Sequence, residues 1–327
     1  MPKVRTLDQP TNPVYPVHTL AQLRKVNLKP ALSKGYTPNQ ISLQKRSGRK
    51  ALTQAIVSKL LDLKSPLNKA YKFTYKCNSA IFQEGEKLKT LYCNQRFCLV
   101  CNSIRTGKLI NGYASEVQAL SNPYFVTLTI KNVKAYALKA TIESMQKDFV
   151  RAKDKLRKRG IVLKGLRKVE VTYNEKTNEY HPHFHCLIEG CKPSFALVSE
   201  WIKRHPEHTS YKGQDLRFAD KDTPNELFKY FTKMLTPSGQ FLAPEMDIVF
   251  RAMKGKRVFQ PFGGIKKQCE EVETNQTTVI DWKPEGIENW VYDMANEHSD
   301  WYNAQGEALT EGKLTDKQVH LIKKIVA

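Results

Sequence analysis

Long apolar runs are absent from this sequence. No uninterrupted apolar stretch approaches the roughly 20 residues of a membrane-spanning helix, and the start, MPKVRTLDQP, lacks the apolar segment of a secretion signal. The phosphate-loop pattern G-x-x-x-x-G-K-S/T is also missing, so the sequence predicts no ATP-driven helicase activity of its own. We therefore expect a soluble, cytoplasmic protein that has no membrane partner.

Acidic residues are scarce in the first part of the chain. The first 115 residues hold only four Asp and Glu against 20 Lys and Arg, a net charge of +16. Residues 116–270 carry +11, whereas residues 271–327 carry −6. A basic surface of this size releases counterions when it meets phosphates. Together with the overall charge of +21 and the pI of 9.6, this distribution predicts binding to nucleic acid; the alternative is a basic protein without a polyanion partner.

The N-terminal region contains prolines that are too closely spaced for a helix. They are Pro2, Pro10, Pro13 and Pro16. We interpret residues 1–70 as a basic, partly disordered arm. Within it, the stretch ALTQAIVSKLLDL at 51–63 can form one short amphipathic helix.

Four of the seven cysteines are clustered with the spacing C-x15-C-x4-C-x2-C. They are Cys77, Cys93, Cys98 and Cys101. Disulfides are unusual in the cytosol, and four thiolates in a tetrahedral arrangement are ligands that structural Zn²⁺ prefers. The spacing therefore predicts a small four-cysteine zinc module within residues 71–115, with Arg96, Arg105 and Lys108 placed to contact DNA. Unrelated free cysteines are the alternative.

Residues 116–270 show a regular alternation of predicted strands and helices. β-Branched and aromatic runs predict strands, and apolar residues at helical spacing predict helices. The order is strand 124–130, helix 134–160, strands 166–173 and 182–190, helix 193–205, strand 214–220 and helix 223–235. This order predicts an α+β fold with a split β-α-β (ferredoxin-like or RRM-like) antiparallel sheet. We expect its helices on one face and its first and third strands at the centre.

The third of these strands contains the segment YHPHFHCLIEG at 180–190. Because side chains alternate along a strand, His181, His183 and His185 point to one face. Imidazoles on a central strand are costly to bury without partners, and a divalent metal would satisfy their ring nitrogens. The pattern therefore predicts a metal site at His183 and His185. Hydrogen-bonded surface histidines are the alternative.

A carboxylate on the preceding strand is a candidate third ligand. Folding the hairpin between the two strands brings Glu170 opposite His183 or His185. The competing third ligand is His181. The competing interpretation of Glu170 is a surface ion pair with Lys168 or the arginine before it.

The segment ELFKYFTK at 226–233 places three reactive side chains on one helical stripe. Glu226, Tyr230 and Lys233 are spaced i, i+4 and i+7. A Tyr hydroxyl has a free pKa of about 10, so it attacks only beside a base or in positive surroundings such as Lys233 provides. A Tyr near an apolar face is more often part of the core, so this helix does not identify the chemistry by itself.

Taken in order, YFVTLTI, HPHFHCLI and ELFKYFTKML resemble the three motifs of rolling-circle replication initiators. These belong to the His-hydrophobic-His (HUH) endonuclease superfamily, and the match, over roughly residues 90–260, is best with plasmid Rep proteins that have a single catalytic Tyr. The resemblance implies that His183 and His185 hold Mg²⁺ or Mn²⁺. It also implies that Tyr230 attacks one DNA strand at a plasmid or phage origin and leaves a 5′-phosphotyrosine and a free 3′-OH.

The resemblance implies further roles and partners. Glu226 matches the acidic residue that activates water at termination, when a second cleavage and joining occurs, and Lys233 matches the motif lysine. The implied partners are double- and single-stranded origin DNA, a host helicase and a DNA polymerase, in a bacterial cytoplasm. An HUH transposase or a conjugative relaxase would share the site. The alternative of another class is a non-catalytic, zinc-dependent nucleic-acid-binding regulator.

The catalytic domain is expected at 116–270, followed by an acidic C-terminal segment at 271–327. This segment contains Trp282, Trp290 and Trp301. The sequence leaves two interpretations open: the segment packs on the catalytic domain, or it contacts a host replication protein.

Overall fold

A computed structural model describes residues 38–84, 87–220, 227, 241–268, 289–295 and 298–326. The described residues form a mixed α+β fold with seven α-helices and two antiparallel sheets. None of these seven helices has both the length and the apolar character needed to cross a membrane.

The elements expected between residues 124 and 220 are present, with ends shifted by at most three residues. The helices are α1 (Pro38–Leu61), α2 (Asn68–Tyr75), α3 (Leu99–Gln118), α4 (Ala135–Lys158), α5 (Cys191–Arg204), α6 (Ala243–Met253) and α7 (Asp316–Val326). The strands are β1 (Ala80–Glu84), β2 (Lys87–Thr90), β3 (Pro123–Thr129), β4 (Gly165–Asn174), β5 (Glu179–Glu189), β6 (Asp215–Phe218), β7 (Phe259–Phe262), β8 (Asn289–Ala295) and β9 (His298–Tyr302). The helix expected at 223–235 lies outside the described residues except for Leu227.

The larger sheet has the strand order β6-β3-β5-β4-β7, and every neighbouring pair is antiparallel. The histidine strand β5 therefore lies in the middle of five strands. Strand β7 was not expected from the sequence. It has only four residues, one of which is Pro261, and Gly263 and Gly264 follow it at positive φ, so no strand pattern is visible there.

Helices α4 and α5 pack on one face of this sheet. The ring of Phe184 on β5 lies 5.7 Å, centroid to centroid, from Phe149 of α4 and from Trp201 of α5. Arg167 of β4 points to the same face, where its guanidinium lies 4.5 Å from the rings of Phe149 and Phe184 and donates to Gln260. This layer is the main hydrophobic core.

The opposite face, which carries the histidines, is partly covered by α3. Tyr113 and Val117 of this helix form a second apolar cluster with Phe125, Leu166 and Leu187 of the sheet. The two expected helices that the structure describes, α4 and α5, do share one face, whereas α3 comes from the stretch assigned to the cysteine module and was not among them. Local periodicity shows only that a helix has an apolar side, and it does not show which sheet face that side will cover.

The smaller sheet joins two strands from residues 80–90 with two strands from the C-terminal segment. Its strand order is β2-β1-β8-β9, and Ile81 of β1 pairs with Trp290 of β8. Trp301 of β9 is fully buried and donates its indole N–H to the backbone oxygen of Asn78 at 2.9 Å. The C-terminal segment thus packs on the region around the cysteines, a partner that neither sequence interpretation had named. Trp282 lies outside the described residues.

Helix α1 begins 13 residues before the short helix expected at 51–63. Its added turns make polar contacts with the C-terminal segment: the hydroxyls of Ser47 and Ser299 are 2.8 Å apart, and Tyr292 donates to the backbone oxygen of Ser47. Such contacts leave no apolar periodicity in the sequence. Residues 1–37 of the expected disordered arm lie outside the described residues.

Candidate functional site

Glu170, His183 and His185 come together on the face opposite α4 and α5. Strand alternation places both histidines on this face, and Glu170 is the register partner of His183 across the β4–β5 pair. Glu170 Oε2 lies 3.0 Å from His185 Nε2 and 3.5 Å from His183 Nε2. One ligand atom from each of the three residues lies within 4.8 Å of the other two. One carboxylate and two imidazoles at this spacing suit a divalent cation.

The far side of each imidazole is held by a second partner. His183 Nδ1 lies 3.0 Å from the backbone oxygen of His181, and His185 Nδ1 lies 3.2 Å from the hydroxyl of Thr127 on β3. A carbonyl oxygen only accepts, so His183 Nδ1 must carry the proton, and the lone pair of a neutral ring is then on Nε2. Nε2 is the atom that faces Glu170. The ring is therefore set in the tautomer that a metal ligand needs.

Charge around Glu170 keeps the carboxylate ionised. Burial opposes its ionisation, but Lys168 and the neighbouring imidazoles of His183 and His185 hold the pKa of Glu170 well below its usual range. Burial lowers the pKa of His185, against the opposing influence of Glu170. At neutral pH the site therefore offers a charged carboxylate beside an uncharged imidazole at position 185, which is the protonation state that cation binding requires.

The ion pair between Glu170 and Lys168 is present, but it is not a surface pair. The two side chains are in direct contact, and only 2% of the Lys168 side chain is exposed. A buried lysine within contact of a carboxylate that also faces two imidazoles belongs to the same site. Arg167, the other cation considered from the sequence, points into the core on the opposite face of the sheet.

His181 is close to the cluster but does not belong to it. Its ring stacks on that of His183 at 5.1 Å, and it pairs in register with Thr172. Its nitrogens are not among the ligand atoms that lie within 4.8 Å of one another. The geometry therefore favours Glu170 over His181 as third ligand, and this assignment stays a prediction.

The expected reactive helix is represented by one described residue. Glu226, Tyr230 and Lys233 lie outside the described residues. Leu227 is buried in the apolar cluster with Phe125 and Leu187, two residues of the histidine face. The roles assigned to the three reactive residues stay predictions.

The four cysteines form a second ligand cluster, entirely buried. Cys101 Sγ is 3.6 Å from the sulfurs of Cys77 and Cys93, and Cys98 Sγ is 3.7 Å from Cys77 Sγ. These separations are too long for a disulfide. They approach the roughly 3.8 Å expected for sulfurs at tetrahedral corners about 2.3 Å from Zn²⁺. The backbone N–H groups of Cys93, Gln95 and Cys101 donate to these sulfurs, as in thiolate sites.

Lys50 of α1 is buried beside the cysteines. Its Nζ donates to the backbone oxygen of Tyr75 at 2.5 Å and to Ser79 Oγ at 2.8 Å. Burial lowers the pKa of Lys50 to about 8, although the neighbouring thiols favour its charged form. A cation in this position offsets part of the negative charge of four thiolates.

Two of the three basic residues expected to face DNA from the cysteine module have structural partners. Arg96 Nη1 donates to the backbone oxygen of Met253 at 2.8 Å, and Arg105 Nη2 donates to that of Asn94 at 2.7 Å. Lys108 is exposed, on the same small depression as Arg105. Of the three, Lys108 therefore keeps the most accessible charge for a contact with DNA.

Sequence reasoning missed Lys50, Lys168 and Thr127 as members of the two sites. Lys50 and Lys168 are basic residues in a basic chain, and nothing in their own stretches indicates burial. Strand alternation did place two of the three on the histidine face: Thr127 of β3, opposite His185, and Lys168 of β4, two residues before Glu170.

Comparisons with known proteins agree with the sequence motifs. Residues 86–306 match the profile of the Rep_1 family, described as replication protein. Protein rep of Staphylococcus aureus is 38% identical over 128 residues, which are 37% of this chain and 56% of the relative. Protein rep of Streptococcus pneumoniae serotype 2 is 32% identical over 128 residues, 34% of this chain and 38% of the relative.

A third relative, Protein rep of Bacillus sp, is 33% identical over 109 residues, 32% of this chain and 36% of the relative. The matched segments thus span from about a third to just over half of the lengths of these relatives. No solved structure matches the chain.

Proposed function

The chain belongs to the Rep_1 replication protein family, and from this membership we propose that it starts rolling-circle replication of a plasmid or phage by nicking one origin strand. The observation that carries the proposal is the cluster of Glu170, His183 and His185 on adjacent strands. In a replication protein, a divalent-cation site on a basic chain fits chemistry at a DNA phosphate.

The resemblance to rolling-circle initiators implies that this cluster of one carboxylate and two imidazoles holds Mg²⁺ or Mn²⁺. A bound ion would act as a Lewis acid that polarises the scissile phosphate and stabilises the leaving 3′ oxygen. The chain's own contribution is preorganisation: a backbone carbonyl orients His183, Thr127 orients His185, and Lys168 keeps Glu170 ionised.

Tyr230 is the proposed nucleophile. Its oxygen attacks the phosphorus, the bond from phosphorus to the 3′ oxygen breaks, and the phenolic proton is lost while the 3′ oxygen gains one. The products are a 5′-phosphotyrosine and a free 3′-OH that primes synthesis. Lys233 would favour the deprotonated Tyr230, and Glu226 would deprotonate water for the second cleavage at termination. The covalent bond to the protein keeps the phosphate activated for strand joining without ATP.

We propose that residues 116–270 form the endonuclease domain. The order β6-β3-β5-β4 supports a split β-α-β sheet, because its first and third strands, β3 and β5, are neighbours in the interior. The four cysteines would hold a structural Zn²⁺ in a module that β8 and β9 of the C-terminal segment complete.

The proposed partners are origin DNA, in double- and single-stranded form, and two host proteins. Basic charge spread over residues 1–270 supports binding to DNA phosphates. A host helicase and a DNA polymerase would supply unwinding and synthesis, because the sequence has no phosphate loop for ATP.

A nicking assay on supercoiled plasmid carrying the cognate origin tests the proposal. With Mn²⁺ or Mg²⁺, the wild-type protein should convert supercoils to open circles and remain covalently attached to them. His183→Ala and His185→Ala should each lower the rate by about a hundredfold or more. Duplex affinity should change by less than about twofold, because binding comes from the spread basic charge. His181→Ala is the matched control, on the same strand face but outside the cluster.

Three results would contradict the proposal. If His185→Ala nicked the plasmid at the wild-type rate, the cluster at His185 would not be the catalytic metal site. Origin binding without nicking under either metal would favour the zinc-dependent regulator that lacks catalysis. Cleavage confined to a transposon end or a conjugative transfer origin would assign the protein to the transposases or relaxases.

A further inference from the structure

A basic groove lies on the side of the cysteine module, next to the cysteine cluster. It has a volume of about 670 Å³ and runs between α2, the loop that contains Gln95, and Lys254 at the end of α6. This volume falls within the roughly 300–1,000 Å³ of ordinary ligand sites. Apart from the backbone N–H of Gln95, which donates to Cys93 Sγ, none of its lining groups has been given a role in nicking or in zinc binding.

The floor of the groove is apolar and presents an aromatic ring to solvent. Leu67 and Ala70 contribute to the floor, and Phe73 of α2 is 55% exposed although it lines a concave surface. More than half of the Phe73 surface is therefore available for contact with a ligand in the groove. A planar apolar group stacked on that ring would be removed from water.

The rim of the groove is positively charged. Lys69, Lys72 and Lys76 follow one another at i, i+3 and i+7, so they share one side of α2, and Lys254 faces them from the end of α6. All four are exposed, and the described residues that line the groove include no carboxylate. None of the four forms an ion pair with another described residue. Like charges at this spacing repel one another unless an anion lies among them.

Buried hydrogen bonds hold the walls in fixed positions. Asp247 of α6 accepts from the hydroxyls of Tyr71, at 2.6 Å, and Ser65, at 2.5 Å, which ties α2 to α6. Arg96 donates to the backbone oxygen of Met253, which ties the loop that contains Gln95 to the end of α6. The groove is therefore preformed, and a ligand would not have to order its walls.

We propose that this groove binds single-stranded DNA, with an unpaired base stacked on Phe73 and the flanking phosphates on the lysines. Only an unpaired strand offers an apolar base face and phosphates together, because the bases of a duplex are stacked on one another. The proposal rests on the nicking function proposed above, since nicking and displacement at the origin supply such a strand. It adds the surface that holds the strand.

The test measures binding of a fluorescent thymidine 20-mer, and of a duplex of equal length, to the full chain over a range of salt concentrations. Phe73→Ala should weaken single-strand binding by about tenfold, because base stacking is lost. It should leave duplex affinity and the salt dependence unchanged. Phe73→Trp should retain binding, because it keeps an aromatic face.

A charge series separates the groove from the general basic surface. Lys69→Met, Lys72→Met and Lys76→Met combined should flatten the slope of log affinity against log salt by about two, at roughly 0.7 for each phosphate contact on a single strand. The matched control combines Lys139→Met, Lys147→Met and Lys158→Met, three exposed lysines of α4 outside the groove. The control should flatten the slope by less than half as much.

Failure of this proposal and failure of the nicking function give different results. Wild-type nicking together with unchanged single-strand affinity of Phe73→Ala would overturn the groove alone. The groove would also be rejected if the two lysine triples flattened the slope of log affinity against log salt equally. If Phe73→Ala and the groove lysine triple bound DNA as wild type does but no longer bound an acidic peptide, the groove would be a binding site for a protein partner instead. Single-strand binding that depends on Phe73, in a wild-type protein that never nicks, would uphold the groove and reject the nicking function.

Discussion

Glu170 and His183 are register partners across β4 and β5, and 3.5 Å separates Oε2 of the one from Nε2 of the other. The same carboxylate oxygen lies 3.0 Å from His185 Nε2. A shift of one residue in this register would turn Glu170 toward the helices and away from both imidazoles. The hairpin that joins the two strands therefore determines whether the three ligands meet.

Removal of the carboxylate should weaken cation binding. Glu170→Ala is expected to lower the affinity for Mn²⁺ by at least about tenfold, because it removes the only negative charge among the three ligands. Titration calorimetry with Mn²⁺ measures the change, and His181→Ala should stay within about twofold of wild type. If His181→Ala lowers the affinity for Mn²⁺ and Glu170→Ala does not, His181 is the third ligand.

The protonation of His185 should leave a signature in pH titration. Burial lowers its pKa, so its imidazole resonance in metal-free protein should titrate below the usual value of about 6.5. The folded protein then binds this proton less readily than the unfolded chain, and the associated stability, present above about pH 6.5, is lost as pH falls through the folded pKa. NMR titration and urea unfolding measure the two effects. A midpoint above the usual value would contradict the prediction.

The hydroxyl of Thr127 should contribute to cation binding, because it holds the His185 ring in position. Thr127→Val keeps the volume of the side chain but removes the contact with His185 Nδ1. Affinity for Mn²⁺ should fall by about tenfold, as when other outer partners of ligating histidines are removed. Thr172→Val, opposite His181 on β4, is the control and should bind Mn²⁺ as wild type does. Equal affinities for the two variants would show that Thr127 does not orient the ring.

Loss of one clustered cysteine should release zinc. Cys98→Ser is expected to lower the zinc content from one ion per chain toward zero and to reduce the free energy of unfolding by several kcal/mol, since a structural site contributes to folding directly. Elemental analysis and urea unfolding measure both effects. Cys191→Ser, which changes an exposed cysteine outside the cluster, is the control and should change neither. Wild-type protein without stoichiometric zinc would reject the site.

Substitutions of Tyr230 and Glu226 should affect different steps, the first cleavage at initiation and the second at termination. Tyr230→Phe is expected to lose the covalent protein–DNA adduct, because the phenolic oxygen is the proposed nucleophile. Glu226→Ala should still form the adduct but should yield products longer than one plasmid unit, because no base activates water at the second cleavage. Denaturing gels and product sizing measure these outcomes. Unit-length circles from Glu226→Ala would reduce Glu226 to a surface ion pair worth under about 1 kcal/mol.

The local sequence pattern was sufficient to predict the family and most strands of the five-stranded sheet. Alternation along HPHFHC places His183 and His185 on one face whatever the rest of the fold, because a strand has a period of two. Hairpin geometry was enough to bring Glu170 to the same face, and the spacing of the four cysteines was enough to predict that they meet. These features depend on neighbours in the chain, and the family match confirms the resemblance that the three motifs carried.

Only the tertiary structure decided which distant segments complete these sites. Pairing of Ile81 with Trp290 joins segments from opposite ends of the described chain, and the burial of Lys50 beside the cysteines depends on how α1 packs. The burial of Lys168 beside Glu170 likewise depends on the pairing of β4 with strands on both of its sides. Contacts of this kind leave no periodic signal in either segment, since each residue is polar or isolated in its own stretch and acquires its partner only when the chain folds.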